Sequence, residues 1–167
     1  MDLIVAGPGT ALWGGRAMRC ALGRAGVAAL KHEGDHATPS GAFVMRRALY
    51  RPDREPPPPT RLGLALIAAH DGWCDDPADP AYNRPVRLPH GASAEAMWRA
   101  DRLYDLLVVL GFNDAPVVPG IGSAIFLHLA AADFAPTEGC IALSRDDLLA
   151  VLAGADGTSR VVVPLSF

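Results

Sequence analysis

Short apolar stretches, some of them alternating with polar residues, recur along this chain, a pattern typical of β-strands. In residues 16–22, for example, Met18, Cys20 and Leu22 share one face. The stretches with strand character are residues 3–6, 16–22, 42–50, 62–67, 104–112, 124–128 and 161–165. Because 17 glycines and 15 prolines supply frequent turns between them, we predict a mainly β architecture.

Two segments carry the signals of helix starts. Ser144 stands before an acidic pair and an apolar group, the pattern of an N-cap and first turn, and Gly154 can end this helix. Ser93 is the second candidate cap, with Glu95 in the first turn; its apolar face comprises Met97, Ala100 and Tyr104. We therefore predict one or two short helices, the second giving way to a strand near Leu103.

Two proline-rich segments predict long irregular loops. Residues 51–59 include a run of prolines at 56–59, which lack the N–H groups that a central strand needs. Residues 75–90 contain four prolines at intervals. Long loops on a rigid scaffold often line binding sites, so the second segment is a candidate for substrate contacts.

Length and charge restrict the classes of function. A chain of 167 residues is the size of one domain, and we predict that residues 1–167 form a single domain. The formal net charge of −3 offers no basic patch for nucleic acid. No stretch is long enough to span a membrane. We expect a monomer that binds neither nucleic acid nor membrane.

The most informative chemistry lies near the C-terminus, where Cys140 follows His128 by twelve positions. A thiol attacks as the thiolate, and a neighbouring imidazole can take its proton. His128 lies at the end of a predicted strand, on a rigid element. Gly139 allows the backbone to approach a substrate carbonyl closely, and successive N–H groups there are suited to an oxyanion hole. The pair therefore predicts acyl transfer by a cysteine nucleophile.

These residues resemble the catalytic motif of YkuD-like L,D-transpeptidases, in which a histidine precedes a Ser/Thr-x-Gly-Cys element by about a dozen residues. The resemblance extends over roughly residues 16–152. Its other elements are Lys-His-Glu-Gly-Asp at 31–35, Thr-Pro-Ser-Gly-Ala-Phe at 38–43, Gly-Trp-Cys-Asp-Asp at 72–76, Tyr-Asn-Arg at 82–84 and Gly-Ile-Gly-Ser at 120–123.

The resemblance implies a β-sandwich or barrel-like catalytic fold that needs no cofactor. It also implies that Cys140 forms a thioester with a peptidoglycan stem peptide, which the amine of a second stem resolves. His128 would act as the base, oriented by a backbone carbonyl, and Gly139 would contribute to the oxyanion hole. The substrate-binding residues suggested by the motifs and the loop are Thr137, Glu138, Ser123, Tyr82, Asn83, Arg84, Trp73 and Asp76.

Two positions depart from the usual family pattern. Ala142 stands where many members carry Arg or Asn, and it cannot donate charge-assisted hydrogen bonds to a substrate. Arg84 and Arg145 are candidates to replace that function in space. Glu138 stands where many members carry His, and its charge beside the thiol would raise the cysteine pKa unless a cationic substrate group pairs with it.

Other interpretations of these residues stay open at this stage. The scaffold is also consistent with a peptidoglycan hydrolase, namely a carboxypeptidase, endopeptidase or amidase, or with a non-catalytic cell-wall-binding domain. We expect no metal site, because no Cys-x-x-Cys or His-x-x-x-His spacing occurs. Cys74 is expected to be a packing residue, and Lys31, Glu33 and Asp35 to shape a solvated turn.

Localisation is not determined by the sequence. Residues 1–8 contain no basic segment, and their apolar run is too short for a signal peptide. The family resemblance nevertheless implies the periplasm or cell envelope.

Overall fold

Most of the predicted strands form, and they belong to a mainly β fold, as predicted. The computed structural model describes residues 1–167. Its strands are β1 (Leu3–Gly7), β2 (Thr10–Trp13), β3 (Arg16–Ala21), β4 (Val27–Ala28), β5 (Thr38–Pro39), β6 (Gly41–Tyr50), β7 (Gly63–Leu66), β8 (Asp71–Cys74), β9 (Pro85–Arg87), β10 (Ala94–Ala96), β11 (Leu106–Leu110), β12 (Phe126–Leu129), β13 (Ile141–Leu143) and β14 (Arg160–Val163). One helix, α1 (Arg145–Gly154), follows β13.

Eight strands close into a mixed barrel in the order β11, β12, β13, β3, β2, β1, β14, β6. The barrel closes where β6 pairs with β11. The neighbours β12 and β13 are parallel, as are β1 and β14, while β7 adds a parallel strand outside the ring. Beside the barrel, β10, β8 and β9 form a small sheet, and β4 pairs with β5.

The residues of β12 alternate between two apolar cores. Leu127 and Leu129 belong to the larger core, which also contains Leu106 and Val108 of β11 and Leu148 of α1. Phe126 belongs to a smaller cluster on the opposite face of the strand, here called the outer cluster, together with Trp73, Met97, Tyr104, Leu107, Val109 and Cys140. The second face of β12 is thus covered by the segment that contains β8 and β10 rather than by solvent.

Helix α1 begins as predicted. The Ser144 hydroxyl accepts a hydrogen bond from the Asp147 N–H at 3.2 Å, which satisfies one of the free donors of the first turn. Its apolar positions Leu148, Val151 and Leu152 are fully buried in the larger core. Gly154 is the last helical residue, and Ala155 is the C-cap.

We expect Leu152→Ala to lower the free energy of unfolding by about 2–5 kcal/mol, because the truncation leaves a cavity in a close-packed core. Urea titration followed by circular dichroism measures the change. Leu149→Ala is the matched control, since Leu149 lies on the same helix but is only partly buried. Equal losses in both variants would contradict the assignment of Leu152 to the core.

The second predicted helix is wrong. Ala94–Ala96 instead forms β10, which pairs antiparallel with β8, and turns connect it to β11. A helix of about ten residues is marginal in water without tertiary support. Here the edge of β8 provides backbone partners, and Met97 and Tyr104 are buried as members of the outer cluster instead of along one helix face.

The two predicted loops differ in outcome. Residues 51–59 contain no strand or helix, and the Arg51 guanidinium stacks on the Trp98 ring at 3.6 Å from its centroid. Residues 75–90 are less irregular than expected, because they contain β9, which pairs with the preceding strand β8. No helix of the structure has the length and apolar character needed to cross a membrane.

Candidate active site

The parallel pairing of β12 with β13 brings His128 and Cys140 to the same face of the barrel wall. His128 is the register partner of Ala142, and Cys140 precedes Ala142 by two residues. Side chains two apart on a strand point to the same face, so Cys140 is a diagonal neighbour of His128. This face is the one covered by the outer cluster, which includes Cys140 itself.

The Cys140 sulfur is held by the backbone that leads into β12. Its thiol donates to the Ala124 carbonyl at 3.2 Å, and the Phe126 N–H donates to the sulfur at 3.3 Å. Burial raises the pKa of the Cys140 thiol to about 12, and the nearby Glu95 carboxylate contributes to the rise. The cysteine is therefore a neutral thiol at pH 7.

His128 is fixed in one tautomer by a backbone carbonyl. Its Nδ1 lies 2.8 Å from the Leu129 carbonyl oxygen, which can only accept, so the proton resides on Nδ1. The other ring nitrogen, Nε2, is left as the acceptor. Burial lowers the pKa of His128 to about 4, so the imidazole is neutral and able to take a proton.

Both side chains line a cavity of about 590 Å³. Among the proposed substrate contacts, Ser123, Thr137 and Glu138 also line it, as does Ala142. The charged side chains of the lining are Lys31, Glu33, Asp75, Glu95, Arg99 and Glu138. A volume of this size suits a peptide fragment, and both charge signs are available to a zwitterionic one.

The turn before Cys140 requires glycine. Gly139 has a φ of +137°, and a Cβ built on it would lie 2.9 Å from the Ala37 carbonyl oxygen. The Gly139 N–H donates to the Thr137 hydroxyl at 3.2 Å, and the same hydroxyl donates to the Cys140 carbonyl at 2.6 Å. Thr137 thus braces the turn that presents the thiol.

We expect Gly139→Ala to lower the free energy of unfolding by about 1–3 kcal/mol. The turn would hold the alanine at an unfavourable φ, and its Cβ would clash with the backbone at Ala37. Urea titration again measures the change. Gly157→Ala is the control, since nothing lies within 4 Å of a Cβ there and its φ is not in the left-handed region. A Gly139→Ala protein as stable as this control would refute the close approach.

The charge on Glu138 is compensated within the protein. Its carboxylate receives a hydrogen bond from Arg24 at 2.9 Å and pairs with His36. The carboxylate that raises the pKa of Cys140 is instead Glu95, which comes from β10. The carboxylate that raises the thiol pKa therefore belongs to another strand and not, as predicted from the sequence, to the neighbouring residue Glu138.

Trp73, Tyr82 and Asn83 hold the backbone beside the site and do not line the cavity. Asn83 Oδ1 accepts from the Trp73 indole at 2.9 Å and from the Ala124 N–H at 3.1 Å. The Tyr82 hydroxyl accepts from the Gly122 N–H at 3.0 Å. These bonds anchor the segment that enters β12, and Trp73 also packs edge-on against Phe126.

The remaining sequence candidates have separate positions. Ser123 donates to the Glu33 carboxylate at 2.7 Å on the cavity wall. Asp76 accepts from the Ala78 N–H in a turn outside the lining. Neither arginine considered as a replacement at Ala142 reaches the cavity: Arg84 donates to the Asp114 carbonyl, and Arg145 forms a bidentate pair with Glu55.

Sequence reasoning missed several residues of the cavity wall. Lys31, expected on a solvated turn, is buried and pairs with Asp35. Glu95, Arg99 and Tyr104 had been assigned to a helix that does not form, so their convergence at the site was not visible.

Cys74 is buried, as expected of a packing cysteine, and all three cysteines are free. Its sulfur lies with Asp79 and His90, whose ligand-type atoms are all within 4.8 Å of one another. His90 Nε2 lies 3.4 Å from the Asp79 carboxylate. This group joins the turn at Asp79 and the loop at His90 to the end of β8.

The model of the YkuD family, described as the L,D-transpeptidase catalytic domain, matches residues 9–163. Comparison with curated proteins and with solved structures finds no match.

Proposed function

Because the chain belongs to the YkuD family of L,D-transpeptidase catalytic domains, we propose that it crosslinks peptidoglycan stem peptides through a thioester on Cys140. The observation that carries this proposal is the placement of the Cys140 thiol and the His128 imidazole on one face of adjacent parallel strands, both lining one cavity.

The first step is attack on the donor. His128 Nε2 takes the thiol proton as the Cys140 sulfur bonds to the carbonyl carbon of the donor peptide bond. The carbonyl oxygen becomes an oxyanion. We assign its stabilisation to the Cys140 N–H, since the Gly139 N–H is already donated to Thr137.

The second step releases the leaving group. As the tetrahedral intermediate collapses, its carbon–nitrogen bond breaks, and the imidazolium returns the proton to the departing amine. The donor acyl group remains on sulfur as a thioester. The Leu129 carbonyl keeps its hydrogen bond to Nδ1 throughout and stabilises the imidazolium that forms between the two steps.

The third step transfers the acyl group to an acceptor amine. The amine nitrogen attacks the thioester carbon while His128 Nε2 takes its proton. The carbon–sulfur bond then breaks, and the proton passes from the imidazolium to the sulfur. One peptide bond has been broken and one made, so no cofactor or external energy source is needed.

The protonation states indicate that the Cys140 thiol loses its proton only after substrate has bound. With the pKa of Cys140 raised and that of His128 lowered, the resting pair is a thiol and a neutral imidazole rather than an ion pair. Substrate binding must therefore promote the proton transfer. Such a thiol is protected from oxidation between turnovers, because oxidation also proceeds through the thiolate.

The test is to incubate the protein with a tetrapeptide stem that carries diaminopimelate at its third position. Intact-mass spectrometry should show a gain equal to the mass of the tetrapeptide minus the mass of its terminal amino acid, which leaves as the free amine. Addition of an acceptor stem should then give a crosslinked dimer. Shortened stems without dimer would assign a hydrolase, and the absence of any covalent adduct, also with a carbapenem, would assign a non-catalytic binding domain.

A further inference from the structure

Tyr104 lines the same cavity as Cys140 and His128, the two residues assigned to catalysis. Its ring packs edge-on against the His128 ring, with centroids 5.3 Å apart, and against Phe126 at 5.7 Å. Its hydroxyl donates to the Glu95 carboxylate at 2.7 Å. Cys140 belongs to the same apolar cluster as Tyr104, and the phenol opposes the rise in the pKa of the Cys140 thiol. One phenol thus contacts the base and a carboxylate beside the nucleophile.

Tyr104 is buried in the cavity wall, where it belongs to the outer cluster and also contacts the charged side chains of Glu95 and Arg99. Burial raises its pKa well above the usual range. Its hydroxyl therefore keeps its proton at neutral pH. A buried hydroxyl that reaches a sulfur can stabilise the thiolate by donating a hydrogen bond to it.

Glu95 acts on the same sulfur in the opposite direction. It is mostly buried, and burial raises its pKa, which indicates a charge that is costly to hold. Its charge disfavours a second negative charge on Cys140. The other charged groups that face this carboxylate are Arg99, whose Nη1 lies 3.3 Å away, Asp75 and Asp101, while Lys31 acts on the sulfur from the far wall.

We propose that Tyr104 is a third catalytic residue, whose hydroxyl donates to the Cys140 sulfur during attack, and that Glu95 is a positioning residue that holds this hydroxyl and restrains the thiol in the empty cavity. This inference rests on the proposed function, in which Cys140 is the nucleophile. The Glu95 carboxylate and the developing thiolate compete for one phenolic proton. Neutralisation of Glu95, by a proton or by a substrate cation, then frees the phenol for the sulfur.

The test is the pH dependence of Cys140 alkylation by iodoacetamide, which needs no peptide substrate. Trypsin releases residues 103–145 as one peptide whose single cysteine is Cys140, so mass spectrometry reads this site apart from Cys20 and Cys74. Tyr104→Phe keeps the ring and removes the hydroxyl. Glu95→Gln keeps the size and an acceptor oxygen and removes the charge. Tyr50→Phe is a matched control, because Tyr50 is buried in the barrel core.

We expect opposite shifts. At a fixed pH below the thiol pKa, Tyr104→Phe should slow Cys140 alkylation by about tenfold, and Glu95→Gln should accelerate it by about tenfold, each corresponding to a shift of about one pH unit. Tyr50→Phe should follow the wild type. Unfolding of the Tyr104→Phe variant would expose the thiol and accelerate its alkylation, so a folding defect has the wrong sign to imitate the result.

Unchanged profiles in both Tyr104→Phe and Glu95→Gln, or shifts in the same direction, would overturn the inference. Its failure is distinguishable from failure of the proposed function. If the two variants show opposite shifts but the wild-type protein forms no adduct with the stem peptide, the roles of Tyr104 and Glu95 stand and the proposed peptidoglycan substrate is wrong. A protein that forms the adduct without the shifts retains the function and excludes the role of Tyr104 and Glu95.

Discussion

Cys140→Ser should reduce capture of the donor stem by more than about 10³-fold, the largest effect that we expect from a single substitution. A serine hydroxyl has a much higher pKa than a thiol and is a weaker nucleophile at the same position. His128, whose pKa is lowered to about 4, is a poor base for it. The measurement is the rate of the mass gain with the tetrapeptide.

This substitution should leave the fold intact. The serine hydroxyl can donate to the Ala124 carbonyl and accept from the Phe126 N–H, as the thiol does. Cys74→Ser is the matched control, because Cys74 is also buried but lies outside the cavity lining. If the adduct still forms in Cys140→Ser and is lost in Cys74→Ser, the nucleophile is Cys74 and not Cys140.

His128→Gln should slow the same reaction by about 10²–10⁴-fold, the usual contribution of a positioned general base. The glutamine amide can donate to a nearby carbonyl but cannot take the thiol proton. His70→Gln, at an exposed position, is the control and should react at the wild-type rate. A His128→Gln protein with wild-type kinetics would exclude the imidazole as the base.

The same variant should change the acid sensitivity of the fold. Between the ordinary histidine pKa of about 6.5 and the lowered value of about 4, the unfolded chain binds a proton at His128 that the folded chain excludes. His128 therefore makes unfolding more favourable as the pH falls through this window. His128→Gln removes that contribution, so its stability should fall less between pH 7 and pH 4.5 in urea titrations.

Two strands of the barrel wall were located well from the sequence. Residues 42–50 correspond to β6, and the apolar run at 104–112 contains β11. The run at β11 is continuously apolar because both faces of this strand are buried, one in the larger core and the other in the outer cluster. The helix after Ser144 was also found, since capping and the acidic first turn act within a few residues.

The error at residues 93–104 has a different origin. This segment does carry local signals for a helix. They contribute less to stability than the backbone hydrogen bonds between β10 and β8 and the burial of Met97. Arg99 pairs with Asp101, two residues away, in addition to Glu95, and a two-residue spacing does not bring side chains together on a helix. Tertiary pairing thus overrides local propensity in this segment.

The candidate nucleophile and base could be predicted from the sequence, because their spacing reflects one local unit. That unit is a pair of parallel neighbouring strands, with Gly139 in the turn before the second. The environment of that pair could not be predicted from the sequence. Glu95 and Tyr104 are distant in sequence from Cys140, and no spacing rule connects a residue of β10 with the turn before β13. Their positions depend on how the outer segment folds over the barrel wall, and it is this long-range packing that sets the protonation of the thiol.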